Sequence, residues 1–279
     1  MKILHNESLA KYTTFRIGGI AKTMFFPETV EDLLNIQDLS GSKIIGAGSN
    51  LLINDEVIFE SIVSTNYLNK KVEHLENGNF FIGAGVRIQN AIASINKFGY
   101  GGIEYLVSIP ASVGGAIYMN AGVYSPQKVT ISDYLVNVSV LIDGHIEIWN
   151  KEKCLFRKRH SVFHTNKAII LGAEFNFPKQ NLDCSKKKIA ERMVIAKKQD
   201  HSGGNCGSVF KVCNYKLMRI FKFFHPRIGG ASFSQKSSNW IINKGDAHFK
   251  DVKNLMRMAL ILHKFFLQKI EAEVIEWDR

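Results

Sequence analysis

The stretch Ser108–Gly122, SIPASVGGAIYMNAG, is rich in small residues yet too apolar for a solvated loop. A buried irregular segment must pair its backbone N–H and C=O groups somewhere. One solution is a large bound ligand with many acceptors; the other is tight packing of a glycine-rich loop against a sheet. A second glycine turn, Gly46-Ala47-Gly48-Ser49-Asn50, follows the apolar run Lys43–Ile45. Glycines admit positive φ and close backbone approach, so successive amides can converge on an anion. The turn lacks the third glycine of the dinucleotide fingerprint and the Gly-Lys-Ser/Thr ending of a P-loop. A tight turn between strands would also account for it. Taken together, the two segments point to an extended phosphate-bearing cofactor held without a Rossmann motif.

Working outward, three textures are visible. Residues 1–56 contain a short helix in TVEDLLNIQDL and a strand in KIIGAGSN. Residues 57–182 are strand-rich. There, RIQNAIASINKFG places Ile88, Ala91, Ile92 and Ile95 on one helical face and stops at Gly99. Two β-branched runs flank Asp143-Gly144, which predicts a hairpin, and AIILGAEFNF predicts a further strand. Residues 183–279 open with the basic helix SKKKIAERMVIAKKQ. Later, Phe249, Val252, Leu255, Ala259, Leu262 and Phe266 recur at helical spacing. The closing KIEAEVIEW alternates as one strand.

The chain has 279 residues, 46% hydrophobic, enough for two or three modest domains. Its opening, MKILHNESLAKY, lacks the apolar run of a signal peptide. The most apolar run, MRMALILHKFF, is too short to span a bilayer and is interrupted by His263 and Lys264. Cys154, Cys184, Cys206 and Cys213 form no C-x-x-C pair and have no zinc-ligand spacing, so reduced thiols in a cytoplasmic protein are expected. A net charge of +11 attracts polyanions or simply solvates the surface. The basic clusters are short, with no basic stripe bearing interleaved aromatics, so nucleic acid is not the expected partner.

The stretch Asn205–Lys211, NCGSVFK, sets Cys206 and Ser208 around a glycine. Either could be a nucleophile, or one could be a proton donor. GSVFK is not the G-x-S-x-G elbow of an acyl-transfer serine. A buried, inert cysteine suits Cys206 better than a reactive thiol beside Lys211.

Six motifs occur in order: TTFRIGG (13–19), GAGSNLLI (46–53), IPASVGGAIYMNAG (109–122), GSVFK (207–211), RIGGA (227–231) and EAEV (271–274). Over nearly the whole chain they resemble the UDP-N-acetylenolpyruvoylglucosamine reductases (MurB, or UDP-N-acetylmuramate dehydrogenases), in the shorter form of the family. The resemblance implies an α+β chain of the MurB type, with a vanillyl-alcohol-oxidase-like flavin fold. Two α/β FAD-binding subdomains (1–56 and 57–182) would be followed by a third α/β domain for the substrate (183–279). It further implies an FAD- and NADPH-dependent oxidoreductase that reduces an enolpyruvyl nucleotide sugar for peptidoglycan precursor synthesis.

By the same resemblance, Gly46, Ala47, Gly48, Ser49, Asn50 and Leu51 would hold FAD. So would Ile109, Pro110, Ser112, Val113, Gly114, Gly115, Asn120, Ala121, Gly122 and Ile170. Lys158, Lys211 and Ser232 would meet the substrate. Ser208 would donate a proton, and Arg159 and Glu273 would polarise the substrate carboxylate. These types suit the chemistry: hydride addition to an enolpyruvyl ether leaves a carboxylate-stabilised anion that needs stabilisation and one proton donor. The implied protein is a cytoplasmic monomer with no metal and no membrane partner.

The chain departs from the family pattern at Lys158 (usually tyrosine), Val212 (usually asparagine), Ser232 (usually glutamine) and Ser237 (usually histidine). Gln199 also lacks its usual following proline. Valine offers no side-chain hydrogen bond where asparagine would. The alternatives are a related flavoenzyme with a different substrate and a non-catalytic polyanion-binding protein.

Overall fold

Asp143 and Gly144 take φ of 48° and 78°, the paired positive values of a two-residue hairpin turn, and join strands Leu135–Ile142 and His145–Asn150. This hairpin begins a five-stranded antiparallel sheet that continues through Ile169–Asn176, Asn79–Gly83 and Val72–His74. Bulges fall between Leu135 and Asn137 and between Ser139 and Val140. The helix Ile88–Lys97 turns Ile88, Ala91, Ile92 and Ile95 into the core beside this sheet, and Gly99 (φ 80°) follows its end. This buried face is the one the helical periodicity predicts.

The computed structural model describes residues 1–279, which divide into two contact units. The first comprises 1–4, 24–47 and 61–196; the second comprises 5–23, 48–60 and 197–279. This partition is interleaved, whereas the three stretches read from the sequence are consecutive.

In the first unit, Phe80, Phe175 and Phe177 anchor the main core. A smaller core gathers Leu33, Ile36, Val63, Leu68 and Leu171. Helix Val30–Leu34 belongs to the smaller core and starts on a capping box. Asp32 N donates to Thr29 Oγ1 at 3.1 Å, and the Asp32 carboxylate accepts from Thr29 N. The strand Lys43–Ile45 pairs in parallel with Ile62–Ser64. The basic helix is present as Leu182–Lys197.

The second unit packs Phe15, Phe210, Phe233, Val252, Leu255 and Ala259 into its own core. Its sheet of Arg227–Ile228, Ala231–Phe233 and Ile241–Asn243 is antiparallel throughout. Helix Phe249–Phe265 lies on the core as its spacing predicts, except that Phe266, just past its end, is exposed. A second helix, Tyr215–Phe224, has no counterpart in the sequence reading; Asn214 caps it by accepting from Lys216 N at 2.9 Å.

The C-terminal run is not one strand. Glu271–Ala272 pairs antiparallel with Phe210–Val212, and Ile275–Trp277 pairs in parallel with Leu51–Ile53. The chain changes partner at Glu273 and Val274, whose amides both approach the Val209 carbonyl, at 2.8 and 3.5 Å. Alternation alone cannot show such a break.

Candidate functional site

In the first unit, the candidate cofactor residues gather around Gly46. A methyl group on Gly46 would meet Ser112 Oγ at 3.0 Å, so the bare glycine lets the turn approach the Ser112 hydroxyl. Ser112 is buried and accepts from Gly115 N at 3.3 Å, capping the short helix Val113–Tyr118. The fifteen-residue stretch is therefore less irregular than its sequence implies. Val113 N donates to Val86 O at 2.8 Å and Gly114 N to Ala84 O at 2.9 Å. No ligand is needed to pair these amides, which removes that part of the sequence reading. Ala121 N bonds back to Ala116 O, and Gln89 Nε2 holds the Ile109 carbonyl at 2.9 Å. Arg87 Nη1 reaches the Pro110 carbonyl at 3.4 Å, and Ile170 is buried opposite Val140 in the sheet.

Certain side-chain atoms remain unpaired instead. Asn66 Nδ2 donates to the Gly46 carbonyl at 2.9 Å, while its buried Oδ1 has no partner. Ser64 Oγ, Asn120 Oδ1 and His160 Nδ1 are likewise buried without a partner. A buried unmade hydrogen bond costs about 1–3 kcal/mol, so such atoms mark where a polar ligand would be welcome. A tight glycine turn with the orphaned Asn66 amide oxygen beside it suits FAD, a long cofactor carrying hydroxyls and exchangeable N–H groups.

Arg159 also belongs to this unit. Its backbone is left-handed (φ 53°) within a tight turn closed by Arg157 N to His160 O at 2.9 Å. That conformation costs a non-glycine residue about 1–3 kcal/mol and is retained where the surroundings enforce it. Arg159 Nη2 donates to the Gly122 carbonyl at 2.7 Å. The Tyr124 ring lies 5.7 Å from its guanidinium and 5.3 Å from exposed Lys158 Nζ. Asn120, also left-handed (φ 43°), donates to the Arg157 carbonyl at 3.0 Å. The small-residue stretch and the basic run at 157–160 are thus fastened together.

In the second unit, Gly48 (φ 63°) tolerates no side chain, because a methyl group there would lie 1.9 Å from the Tyr12 carbonyl. Thr14 N donates to Gly48 O at 3.1 Å and Thr14 Oγ1 to Ser49 O at 3.3 Å, joining the TTFRIGG and GAGSN motifs. Asn50 Nδ2 donates to the Glu273 carbonyl at 2.9 Å, and Leu51 stands opposite Ile275.

Ser208 lies between two supports. On one side it bridges to Trp240, and Val209 N donates to Asn239 O at 2.9 Å. On the other, Glu273 N donates to Val209 O at 2.8 Å. This bond sets Glu273 beside Val209, one residue after Ser208. Gly207 (φ 76°) precedes Ser208 in open space.

Lys211 Nζ is 3.7 Å from Glu271 Oε2, and Val212 stands opposite Glu271. Ser232 lies mid-strand between Arg227 and Ile242. Cys206 is buried; burial, with the Glu273 carboxylate adding to it, pushes its thiol far above the usual range. All four cysteines are unpaired thiols, and no group of side chains could hold a metal.

Asn239 is a supporting residue that the sequence does not reveal. Its buried amide grips Phe210 twice: Nδ2 donates to the carbonyl at 2.8 Å, and Oδ1 accepts from the amide at 3.2 Å. Nothing in SSNWIIN announces a contact some thirty residues upstream.

Residues 21–147 match the model of a family described as an FAD binding domain. A UDP-N-acetylenolpyruvoylglucosamine reductase of Carboxydothermus hydrogenoformans is 35% identical over 98% of this chain and 94% of its own. One from Halalkalibacterium halodurans is 34% identical over 96% and 92%. The crystal structure of UDP-N-acetylenolpyruvylglucosamine reductase (MurB) from Thermus caldophilus superposes with a TM-score of 0.81. It is 26% identical over 99% of this chain and 98% of that one. No helix is long and apolar enough to cross a membrane.

Proposed function

This chain belongs to the UDP-N-acetylenolpyruvoylglucosamine reductase family, and on that premise we propose that it reduces UDP-N-acetylglucosamine enolpyruvate to UDP-N-acetylmuramate with NADPH. It is a flavin oxidoreductase of α+β class with an FAD binding domain. When bound, FAD would supply the hydride-transfer chemistry that the reduction of the enolpyruvyl group requires.

The chain's own residues then handle charge and proton. Hydride addition leaves electron density on the carbon bearing the carboxylate. The Ser208 hydroxyl delivers a proton to that carbon, which completes the lactyl ether. Arg159 and Glu273 hold the carboxylate in the orientation that accepts this charge. The glycine turn at Gly46–Leu51 and the stretch Ile109–Gly122, with Ile170, hold FAD; Lys158, Lys211 and Ser232 meet the nucleotide sugar. In this reading residues 1–56 and 57–182 serve the cofactor, residues 183–279 serve the substrate, and the enzyme works as a cytoplasmic monomer.

The observation that carries the assignment is the hydrogen bond from Glu273 N to Val209 O, which sets an acidic residue beside the neighbour of the only serine in the GSVFK motif. Val212 favours a second reading, a reductase of this family with a modified substrate, because it cannot donate where the family usually has asparagine.

Anaerobic half-reactions decide between them. NADPH should bleach the flavin, and the enolpyruvyl nucleotide sugar should restore its colour. Bleaching without recovery would overturn the substrate assignment and leave the flavin oxidoreductase intact.

A further inference from the structure

Two helices of the second unit end in the same three residues. Tyr215–Phe224 closes on Lys222-Phe223-Phe224, and Phe249–Phe265 runs into Lys264-Phe265-Phe266. After each pair the backbone turns left-handed, at His225 (φ 47°) and Leu267 (φ 52°). Both phenylalanine pairs pack edge to face with centroids 5.1 Å apart. Neither pair joins the core: Phe223 is 77% exposed, Phe265 79% and Leu267 92%. Ile261, one turn before Phe265, is exposed as well. Scattered single apolar residues need no explanation, but clustered aromatic pairs mark an interaction surface.

The two helices are tied together. Asn214 N donates to His263 Nε2 at 3.0 Å, and Asn214 Nδ2 donates to Gln268 Oε1 at 3.1 Å. The start of the shorter helix is therefore fastened to the end of the longer one, which sets exposed Tyr215 and Lys216 by the Phe265–Leu267 turn. Phe223 follows eight residues later, about 12 Å along the helix.

Charge selects the occupant. No Asp or Glu occurs between His201 and Gly245, nor between Val252 and Ile270. Lys216, Arg219 and Lys222 lie exposed on the shorter helix, and Arg257 and Lys264 on the longer. Lys253 and Lys269 are answered by Glu276 and Glu271 from outside these spans. A second copy of the chain would bring like charges together. An anionic bilayer offers the complement, with aromatic rings at headgroup level and lysine stems extended toward phosphates.

We propose that these Lys-Phe-Phe helix ends form a docking surface for an anionic membrane. The protein would lie on the bilayer rather than span it, which replaces the expectation of no membrane partner. The two halves of this surface, 222–224 and 264–266, are far apart along the chain and so form no basic stripe with interleaved aromatics in the sequence. This proposal is independent of the substrate.

The test is co-sedimentation of the intact flavoprotein with phosphatidylcholine vesicles, with and without phosphatidylglycerol. Binding is expected only with phosphatidylglycerol. It should weaken as salt rises from about 0.1 M to about 1 M, where the screening length falls from about 10 to about 3 Å. Phe223→Ser with Phe265→Ser should lower partitioning by at least about tenfold. Lys222→Glu with Lys264→Glu, which keeps the rings, should lower it about fivefold for each cation lost. Both variants should stay folded and keep the parent's flavin spectrum, since the substituted side chains are exposed; the glutamate pair should melt slightly lower, because each replaced lysine lies in the last turn of its helix. Equal binding to neutral and anionic vesicles, or none to either, overturns the proposal. So does a dimer in light scattering that the serine variant dissociates, because a second copy would then cover the surface.

Discussion

Asn239→Ala tests whether the Ser208 strand is held as the geometry implies. The substitution removes two hydrogen bonds, from Phe210 N at 3.2 Å and to Phe210 O at 2.8 Å, while the backbone bond from Val209 N to Asn239 O can persist. Phe210 is buried, so water cannot easily replace either partner. Leaving a buried donor and a buried acceptor unmet costs about 1–3 kcal/mol each, or about 2–6 kcal/mol together. That is a large share of the roughly 5–15 kcal/mol that stabilises a folded domain. Urea unfolding monitored by tryptophan fluorescence should show the loss, with neighbouring Trp240 reporting on this unit. The kinetic expectation is separate: flavin reduction by NADPH should be nearly unchanged, and reoxidation by the nucleotide sugar should slow. Asn239→Asp keeps an acceptor for Phe210 N but sets a carboxylate against Phe210 O, so it should not rescue. A destabilisation below about 1 kcal/mol, with normal reoxidation, would refute the idea that this amide positions the strand.

Ser208→Ala should leave flavin reduction intact and slow reoxidation by at least about a hundredfold, as expected for loss of a positioned proton donor; equal slowing of both half-reactions would make the serine structural. Asp200 is subject to burial, which raises its pKa, but hydrogen bonds from Ser202 and Ser234 prevail and hold it down to about 2. Because its folded pKa is depressed, its stabilisation is present above the unfolded value near 4 and disappears as pH falls toward 2. Melting temperature should therefore drop across that window, and Asp200→Asn should flatten the drop. In iodoacetamide labelling read by mass spectrometry, exposed Cys184 should react first. Buried Cys154, with a thiol pushed up to about 11, and buried Cys206 should react only on unfolding.

Local chemistry made much of this architecture legible. Asp143-Gly144 specifies its own turn, and the Ile88–Ile95 face can be buried in only one orientation, so short-range rules suffice there. The helix Val113–Tyr118 escaped because glycines and β-branched residues are poor helix formers. It exists because Ser112 caps it and because the Val113 and Gly114 amides find carbonyls on a neighbouring segment. The break at Glu273 escaped for a different reason. Alternation continues through it, and only the carbonyl of Val209, over sixty residues earlier, reveals the change of partner. The candidate residues were named through ordered motifs. Their supports, Asn66 and Asn239, were not, since an asparagine's reach depends on what tertiary structure brings to it.

The second unit gathers residues 5–23 and 48–60 with 197–279. Asn50 and Glu273, joined by a hydrogen bond, stand 223 positions apart. During synthesis the early segments must therefore wait on the ribosome, their apolar side chains uncovered, until the late segment emerges. At about 5–20 residues per second that wait lasts about ten seconds or more. The longest segment of the first unit, residues 61–196, leaves the ribosome well before then. Maturation of this enzyme is thus ordered in time, with the GSVFK strand and its Glu273 neighbour completed last.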